Sequence, residues 1–176
     1  SPVRIMLSAH PDEIGLLVTR ITESGTIQAI ERGGIIPATY PGQKVQILTG
    51  KGIVYGAVEG YRELYKKNDL KAADLLIDIG ATSKEEAARY VALGDTIVPD
   101  TGMRELINGR ITARALDDRI GVFIIMEALR RAQEKGCSAG VYAAATVGEE
   151  TTKNGAYWAS TRIQPTLAIV VDVTYC

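Results

Sequence analysis

Residues 141–150 constrain the possible folds of this chain more than any other stretch, because they predict a strand that ends in two adjacent carboxylates. Residues 141–147 are apolar on both faces, which is typical of a buried strand in a parallel sheet. Open α/β sheets bind ligands beyond the carboxyl ends of their strands. Glu149 and Glu150 therefore indicate a binding site at a sheet edge, although a solvated loop is the commoner origin of two glutamates taken alone.

His10, the only histidine in the chain, gives the second indication. It follows a strand predicted over residues 2–9, and the carboxylate of Asp12 lies where it can accept the second imidazole N–H. A carboxylate in that position fixes the histidine tautomer and strengthens the imidazole as a metal ligand. A lone histidine beside an apolar strand is more often a packed core residue than a metal ligand. His10 is therefore a candidate ligand only because carboxylates occur at other predicted strand and helix ends.

Further carboxylates stand at two more predicted element ends. Asp117 and Asp118 precede a predicted helix, where N-capping is the alternative role, although capping does not require two acids. Asp172 lies in the apolar run 168–174, and an ionised carboxylate in a buried strand is costly unless it is paired or metal-bound. One imidazole and several carboxylates together suit a divalent ion of the zinc or cobalt type.

Composition limits the classes of protein. A chain of 176 residues with 46% hydrophobic residues and a formal charge of −1 can form one domain or two small ones. The 20 lysines and arginines are balanced by 21 acids and scattered along the chain, which indicates no nucleic-acid partner. No apolar run reaches the length of a membrane span. Cys137 and Cys176 have no metal-ligand spacing, so we expect free thiols in a reducing cytoplasm.

The first part of the chain predicts short strands and small helices, as in a small β-barrel or sandwich. A hairpin is predicted over residues 13–31. Ser83 and Glu86 form a capping box, which predicts a helix that ends near Leu93. Further strands are predicted over residues 44–48, 52–58, 75–79, 96–99 and 104–112.

From Asp117 onward the pattern is α/β. Helix, strand, helix and strand follow one another with short connections, which predicts a mostly parallel sheet with helices on its faces. Gly-x-Ser-x-Gly, Walker and Gly-x-Gly-x-x-Gly motifs do not occur, which disfavours serine-hydrolase and phosphate-cradle chemistry. We expect the first helix to bury an apolar stripe in the core, formed by Ile120, Phe123, Ile124, Ala128 and Ala132.

Seven motifs occur in an order that carries a family resemblance. They are His-x-Asp-Glu-Ile-Gly at 10–15, Gly-Gly-Ile at 33–35, Gly-Gln-Lys-Val at 42–45, Ile-Asp-Ile-Gly-Ala-Thr-Ser-Lys-Glu-Glu-Ala at 77–87, Ala-Leu-Asp-Asp-Arg-Ile-Gly at 115–121, Thr-Val-Gly-Glu-Glu at 146–150 and Val-Asp-Val-Thr at 171–174. Over nearly its whole length the chain resembles the TET aminopeptidases. These are dinuclear metallopeptidases that assemble as tetrahedral dodecamers, and some relatives carry the label endoglucanase.

The resemblance implies two divalent ions, Zn²⁺ or Co²⁺. His10 and Asp172 would bind the first ion, Asp117 would bridge both, and Glu150 would bind the second. It also implies that the peptide bond between Asp117 and Asp118 is cis.

The resemblance implies catalytic roles for two further residues. Glu149 would be the general base, which takes a proton from a metal-bridging water and passes it to the leaving amine. Asp12 would orient the metal-binding histidine. The substrates would be short peptides, from which N-terminal residues are removed.

The fold implied by the resemblance is a three-layer α/β/α metallopeptidase core, partial here, that carries an inserted small β-barrel or sandwich used for dimerisation. Residues 1–14 and 110–176 would form the catalytic domain, and residues 15–109 the inserted domain. Homodimers would then build a homododecamer.

The sequence departs from the family pattern in length. TET aminopeptidases begin upstream of the His-x-Asp strand and continue past Val-Asp-Val-Thr, and the downstream part supplies a second metal-binding histidine. We therefore expect an incomplete site around Glu150, at most one well-occupied metal and poor activity. The alternative function is a catalytically inactive assembly module that retains vestigial ligands, and metal binding distinguishes the two.

Overall fold

The computed structural model describes residues 3–174 and divides the chain into two compact units. The first unit contains the residues up to Glu13 and those from Glu105 onward, and the second is Ile14–Arg104. The strands are β1 (Arg4–Ala9), β2 (Gly15–Ile21), β3 (Ile27–Arg32), β4 (Lys44–Thr49), β5 (Gly52–Val58), β6 (Ile77–Asp78), β7 (Thr96–Pro99), β8 (Arg104–Leu106), β9 (Arg110–Thr112), β10 (Gly140–Ala145) and β11 (Leu167–Val170). The helices are α1 (Arg62–Tyr65), α2 (Lys84–Ala87), α3 (Leu116–Glu134) and α4 (Asn154–Ile163), with 3₁₀ turns at Pro37–Thr39, Ala72–Asp74 and Ile107–Gly109.

The second unit is a closed six-stranded barrel in the order β2-β3-β6-β5-β4-β7. Its strand pairs are antiparallel, and β4 shows the alternation that a barrel wall requires, since Val45 and Ile47 point inward while Lys44 and Leu48 are exposed. The predicted hairpin is confirmed as β2 and β3. Of the two architectures predicted for this part of the chain, the barrel is the one that forms.

The barrel interior is a single apolar cluster, and its innermost side chains have no solvent exposure. We expect Ile47→Ala in β4 to lower the free energy of unfolding by about 2–5 kcal/mol, because the substitution leaves a cavity among rigid neighbours. Ile53→Ala in the adjacent strand is the matched control, since Ile53 is 50% exposed. Urea unfolding should show a change of less than about 1 kcal/mol for the control, and equal losses in the two variants would contradict the assigned barrel interior.

Helix α2 is shorter than predicted. The hydroxyl of Ser83 accepts the Glu86 N–H at 3.2 Å, as predicted, but the Glu86 carboxylate accepts the N–H of Thr82 at 2.8 Å and not that of Ser83. The expected end near Leu93 is wrong, because residues beyond the helix bond to β2. Gly94 N–H donates to the Val18 carbonyl at 2.9 Å, which draws the chain away from a helical path.

The first unit contains a three-stranded parallel sheet in the order β10-β1-β11, which confirms the predicted parallel pairing. Leu7 and Ala9 of the central strand pack against Ile125 of α3. Met6 and Ser8, on the opposite face of β1, line a cavity together with residues of α4. The sheet therefore presents the carboxyl ends of three parallel strands at one edge.

Burial in this sheet differs from the expectation. The central strand β1 is buried, whereas β10 is only partly buried and β11 is exposed along its length. Asp172 is also exposed, so the argument that it is a buried carboxylate is wrong. The reason is position in the sheet: β10 and β11 flank β1 as outer strands, so an apolar composition did not guarantee burial.

The buried stripe of α3 also differs from the expectation. Phe123 is 65% exposed and Ile124 45% exposed, whereas Asp118, Gly121 and Ile125 are buried. The buried positions follow helical spacing from Asp118, so the helix is turned to bring this carboxylate to the sheet. In residues 3–174 no helix is both long enough and apolar enough to cross a membrane. Cys137 is a free, exposed thiol, as predicted, and Cys176 lies outside the described residues.

Candidate metal centre

The candidate site lies where the three parallel strands of the first unit end. Hydrogen bonds continue the pairing with β1 beyond the ends of β10 and β11, because Thr146 N–H donates to the Ala9 carbonyl and Val171 N–H to the Ser8 carbonyl, each at 2.9 Å. Residues that follow the strands are thereby held side by side. His10 follows β1, the two glutamates follow β10, and Asp172 follows β11.

The ring of His10 is buried and oriented at both nitrogens. Nδ1 lies 3.1 Å from the main-chain carbonyl of Asp12, and because a carbonyl can only accept, this nitrogen carries the proton in the neutral ring. Nε2 lies 3.2 Å from Asp117 Oδ1 and 3.8 Å from Glu149 Oε2. Burial disfavours the imidazolium, but the Asp12 hydrogen bond and the charges of Asp12, Glu149 and Asp117 outweigh it and raise the pKa of His10.

Asp12 contributes more through its backbone to the histidine than through its side chain. Its carboxylate lies 3.6 Å from His10 Nδ1, further away than its carbonyl. The two carboxylate oxygens instead accept the backbone N–H groups of Glu149 and Glu150, each at 3.4 Å. Asp12 therefore links the loop after β1 to the loop after β10.

The two adjacent aspartates are joined by a cis peptide bond, as the resemblance implied, and their side chains point to different surroundings. Asp117 is about half exposed and faces His10. Asp118 is fully buried, and its oxygens accept the N–H groups of His10 at 3.3 Å and Gly121 at 3.1 Å. The capping role considered from sequence therefore falls to Asp118 alone. Burial and the charge of Asp172 raise the pKa of Asp118.

Among the side chains of residues 3–174, two groups could hold an ion, and both contain His10. One consists of His10, Asp117 and Glu150, and the other of His10, Asp118 and Asp172. Within each group the ligand atoms lie within 4.8 Å of one another. All four residues named from sequence as ligands are thus close to a candidate ion position, but Asp172 groups with Asp118 where the resemblance implied Asp117.

The paired glutamates lie in different surroundings. Glu149 is partly exposed, with one oxygen toward His10 and the other 3.3 Å from Lys153 Nζ. Burial and the charge of Asp117 raise the pKa of Glu150. Glu149 and Lys153 also line a cavity of about 480 Å³ that reaches His10 and Asp172. Lys153 was not identified from sequence, and its only signal was its spacing of four residues from Glu149.

Three more residues that sequence reasoning missed lie beside the site. Glu13 forms ion pairs with Arg114 at 2.9 Å and with Arg119 at 3.1 Å. The two arginines flank the adjacent aspartates in sequence, and that placement was the only signal available.

The donor set fits a divalent cation. His10 offers Nε2 as a ligand atom because Nδ1 is engaged by a carbonyl, and several carboxylates surround it with Lys153 as the nearby cation. Burial and the neighbouring acidic charge raise the pKa of Glu150, and a bound cation would offset both effects. Mixed imidazole and carboxylate ligands suit Zn²⁺ and Co²⁺.

Comparisons with known proteins agree over the full length of the chain. The sequence profile of the M42 glutamyl aminopeptidase family matches residues 1–176. A lysyl aminopeptidase of Pyrococcus furiosus is 33% identical, over 99% of this chain and 52% of its own length. The chain thus spans about half the length of the curated relatives that it matches.

Solved structures give the same result. A TET aminopeptidase from a marine sediment archaeon of the Thaumarchaeota is similar with a TM-score of 0.90 and 37% identity, over 98% of this chain and 51% of that one. The Pyrococcus horikoshii TET1 peptidase, described as assembling into a tetrahedron or a large octahedral shell, has a TM-score of 0.88 and 35% identity, over 99% of this chain and 54% of that one.

Proposed function

Because this chain belongs to the M42 glutamyl aminopeptidase family, we propose that it carries the metal-binding and proton-transfer groups of a metal-dependent aminopeptidase. Its substrates are short peptides, from which it removes N-terminal residues. The observation that carries this proposal is the orientation of His10, whose Nδ1 contacts a carbonyl while Nε2 faces Asp117 and Glu149.

We assign the ligands as follows. As the resemblance implies, His10, Asp117 and Asp172 would hold one divalent ion, and Asp117 and Glu150 would contribute to a second, incomplete position. In the structure Asp172 lies with His10 and Asp118, and Glu150 lies with His10 and Asp117. His10 is the only histidine among these residues. The only ligands that they leave for a second ion are therefore carboxylates. Zn²⁺ or Co²⁺ supplies Lewis-acid polarisation of the scissile carbonyl when bound.

The chain's own residues handle the proton. Glu149 accepts a proton from the attacking water and donates it to the leaving amine. Lys153 holds one Glu149 oxygen, which leaves the other, 3.8 Å from His10 Nε2, directed toward the reacting groups. Asp12 keeps the two glutamates in place through their backbone N–H groups.

We further propose that the chain contains a catalytic domain and an inserted dimerisation domain. Residues 1–14 and 110–176 serve as a catalytic domain of three-layer α/β/α type, and the barrel within residues 15–109 serves as an inserted dimerisation domain. Homodimers then assemble into a homododecamer in the cytoplasm. The support is the similarity to the P. horikoshii TET1 peptidase, which is described as able to assemble into a tetrahedron or a large octahedral shell.

Removal of the imidazole tests the metal centre. Loss of an outer partner of a metal ligand costs about 10–100-fold in affinity, so His10→Ala should weaken Co²⁺ or Zn²⁺ binding by more than about 100-fold in isothermal titration calorimetry. Glu134→Gln is the control, because Glu134 pairs with Arg130 near the far end of α3. We expect the unmodified chain to bind one ion tightly and a second ion, at the Glu150 position, much more weakly.

The same measurements separate the enzyme from the inactive assembly module. Binding that survives His10→Ala would contradict the assigned centre. Failure of the unmodified chain to bind either ion, together with no release of the N-terminal residue from Glu- or Lys-p-nitroanilide, would favour the assembly module.

A further inference from the structure

A partly buried carboxylate beside the candidate site is joined to two arginines. The Glu13 side chain is 13% exposed, and its oxygens lie 2.9 Å from Arg114 Nε and 3.1 Å from Arg119 Nη2. Arg119 also donates from Nε to the Pro11 carbonyl at 3.1 Å. We refer to Glu13, Arg114, Arg119 and the Pro11 carbonyl as the Glu13 clamp.

The clamp connects two segments that carry proposed ligands. Residues 10–14 belong to no strand or helix, so side-chain contacts must fix them. Pro11 and Glu13 lie on either side of Asp12 in this segment, and Arg119 lies two residues after Asp117. The contacts of Arg119 therefore tie the His10 loop to the first turn of α3, and the contact of Arg114 ties it to the segment just before that helix. The Asp118 carboxylate adds one more link between these segments through the His10 N–H.

We propose that Glu13 is a positioning residue of the metal centre. The clamp holds the imidazole of His10 and the carboxylate of Asp117 at the spacing from which both can bind one ion. Arg119 donates hydrogen bonds to the Glu13 carboxylate and to the Pro11 carbonyl, and the Glu13–Arg114 contact is an ion pair. Charge-assisted hydrogen bonds are directional, which suits those of Arg119 to fixing a loop without regular backbone bonds. This inference rests on the proposed function, because it assumes that these two residues bind a metal.

Glu13 does not act as a ligand itself. Both of its oxygens contact guanidinium groups, and neither ligand group within residues 3–174 includes it. The charge of a guanidinium next to a ligand carboxylate would repel the bound cation and weaken its binding. Any favourable effect of the clamp on metal binding must therefore come from the positions in which it holds His10 and Asp117.

Two substitutions distinguish positioning from simple electrostatics. Glu13→Gln should weaken Co²⁺ binding by about tenfold, the loss typical of an outer partner of a metal ligand. Its matched control is Glu127→Gln, because Glu127 also accepts from two arginines, Arg130 and Arg131, further along α3. The control removes the same charge and a similar pair of contacts, and we expect its Co²⁺ affinity to equal that of the unmodified chain.

Arg119→Met removes a positive charge, whereas Glu13→Gln removes a negative one. Removal of a positive charge near the site should strengthen cation binding if only the electric field matters, whereas loss of the clamp should weaken it by about tenfold. The double variant Glu13→Gln/Arg119→Met should lose less affinity than the sum of the two single losses, since the Glu13–Arg119 contact is shared between them. The visible absorption of bound Co²⁺ should change in both single variants, because the ligand geometry is altered.

The outcomes separate this inference from the proposed function. Tighter binding in Arg119→Met, or equal affinities in Glu13→Gln and Glu127→Gln, would overturn the clamp while leaving the metal centre intact. Absence of Co²⁺ binding in the unmodified chain would overturn both. If Glu13→Gln does not fold, as judged by circular dichroism, Arg119→Met decides the question, because the Arg119 side chain is about half exposed.

Discussion

Glu149→Gln should remove nearly all hydrolysis of aminoacyl substrates while metal affinity stays unchanged. Positioned general bases contribute about 10²–10⁴-fold to rate, and an amide cannot accept the proton, so turnover should fall by that factor. Metal binding should persist because neither ligand group among the described residues includes Glu149. The two measurements are titration calorimetry with Co²⁺ and initial rates on Glu-p-nitroanilide with Co²⁺ present.

Glu150→Gln is the matched comparison, because it changes the adjacent residue in the same chemical way. Glu150 contributes to the second ion position together with Asp117, so here the weaker metal-binding event should be lost together with turnover. A substitution at Glu149 that lowers metal affinity as much as one at Glu150 would show that the two glutamates share one role. The assignment of Glu149 as the base would then be wrong.

The barrel illustrates what local sequence patterns can predict. Alternating apolar residues in β4 and the turn between β2 and β3 were sufficient to predict these strands. The choice between barrel and sandwich was not predictable from them. Closure depends on the pairing of Leu16 with Ile97, residues far apart in sequence whose register no local pattern specifies.

Helix α3 shows where hydrophobic pattern fails. Its apolar residues cover more than one face, and the expected stripe through Phe123 is the exposed one. The buried face contains Asp118, whose carboxylate bonds to the His10 N–H. A buried carboxylate without hydrogen bonds costs a large amount of free energy. The exchange of one buried apolar stripe for another costs less, so the hydrogen bonds of Asp118 decide which face is buried. The site thus sets the rotation of the helix.

The candidate site also contains residues that could be predicted from the sequence and residues that could not. His10, Asp117 and the two glutamates could be grouped from sequence because each follows a predicted strand or precedes a predicted helix, and these ends share one sheet edge. Lys153 and Arg119 could not be grouped with them. Their contacts depend on loop and helix-start conformations, such as the positive φ of Lys153, for which the sequence carries no periodic signal.

The contact between α4 and the loop after β10 gives the second large effect. A Cβ atom at Gly155 would overlap the Val147 carbonyl oxygen and lie 2.8 Å from the Val147 nitrogen. These are backbone atoms, so no side chain can move aside to make room. Alanine in a helix is favoured over glycine by about 1 kcal/mol, but we expect Gly155→Ala to lower the free energy of unfolding by about 1–3 kcal/mol, because the overlap outweighs helix propensity.

Gly155→Ala should also weaken Co²⁺ binding, because Val147 leads directly into the glutamate pair and must shift to admit the methyl group. Gly34→Ala is the control, since its Cβ would meet no heavy atom within 4 Å. Urea unfolding should show a small gain for the control, about 0.4–1 kcal/mol, from reduced freedom of the unfolded chain. A Gly155→Ala variant as stable as the control would mean that α4 does not press on Val147. The glutamates would then lack the contact that holds their loop toward His10.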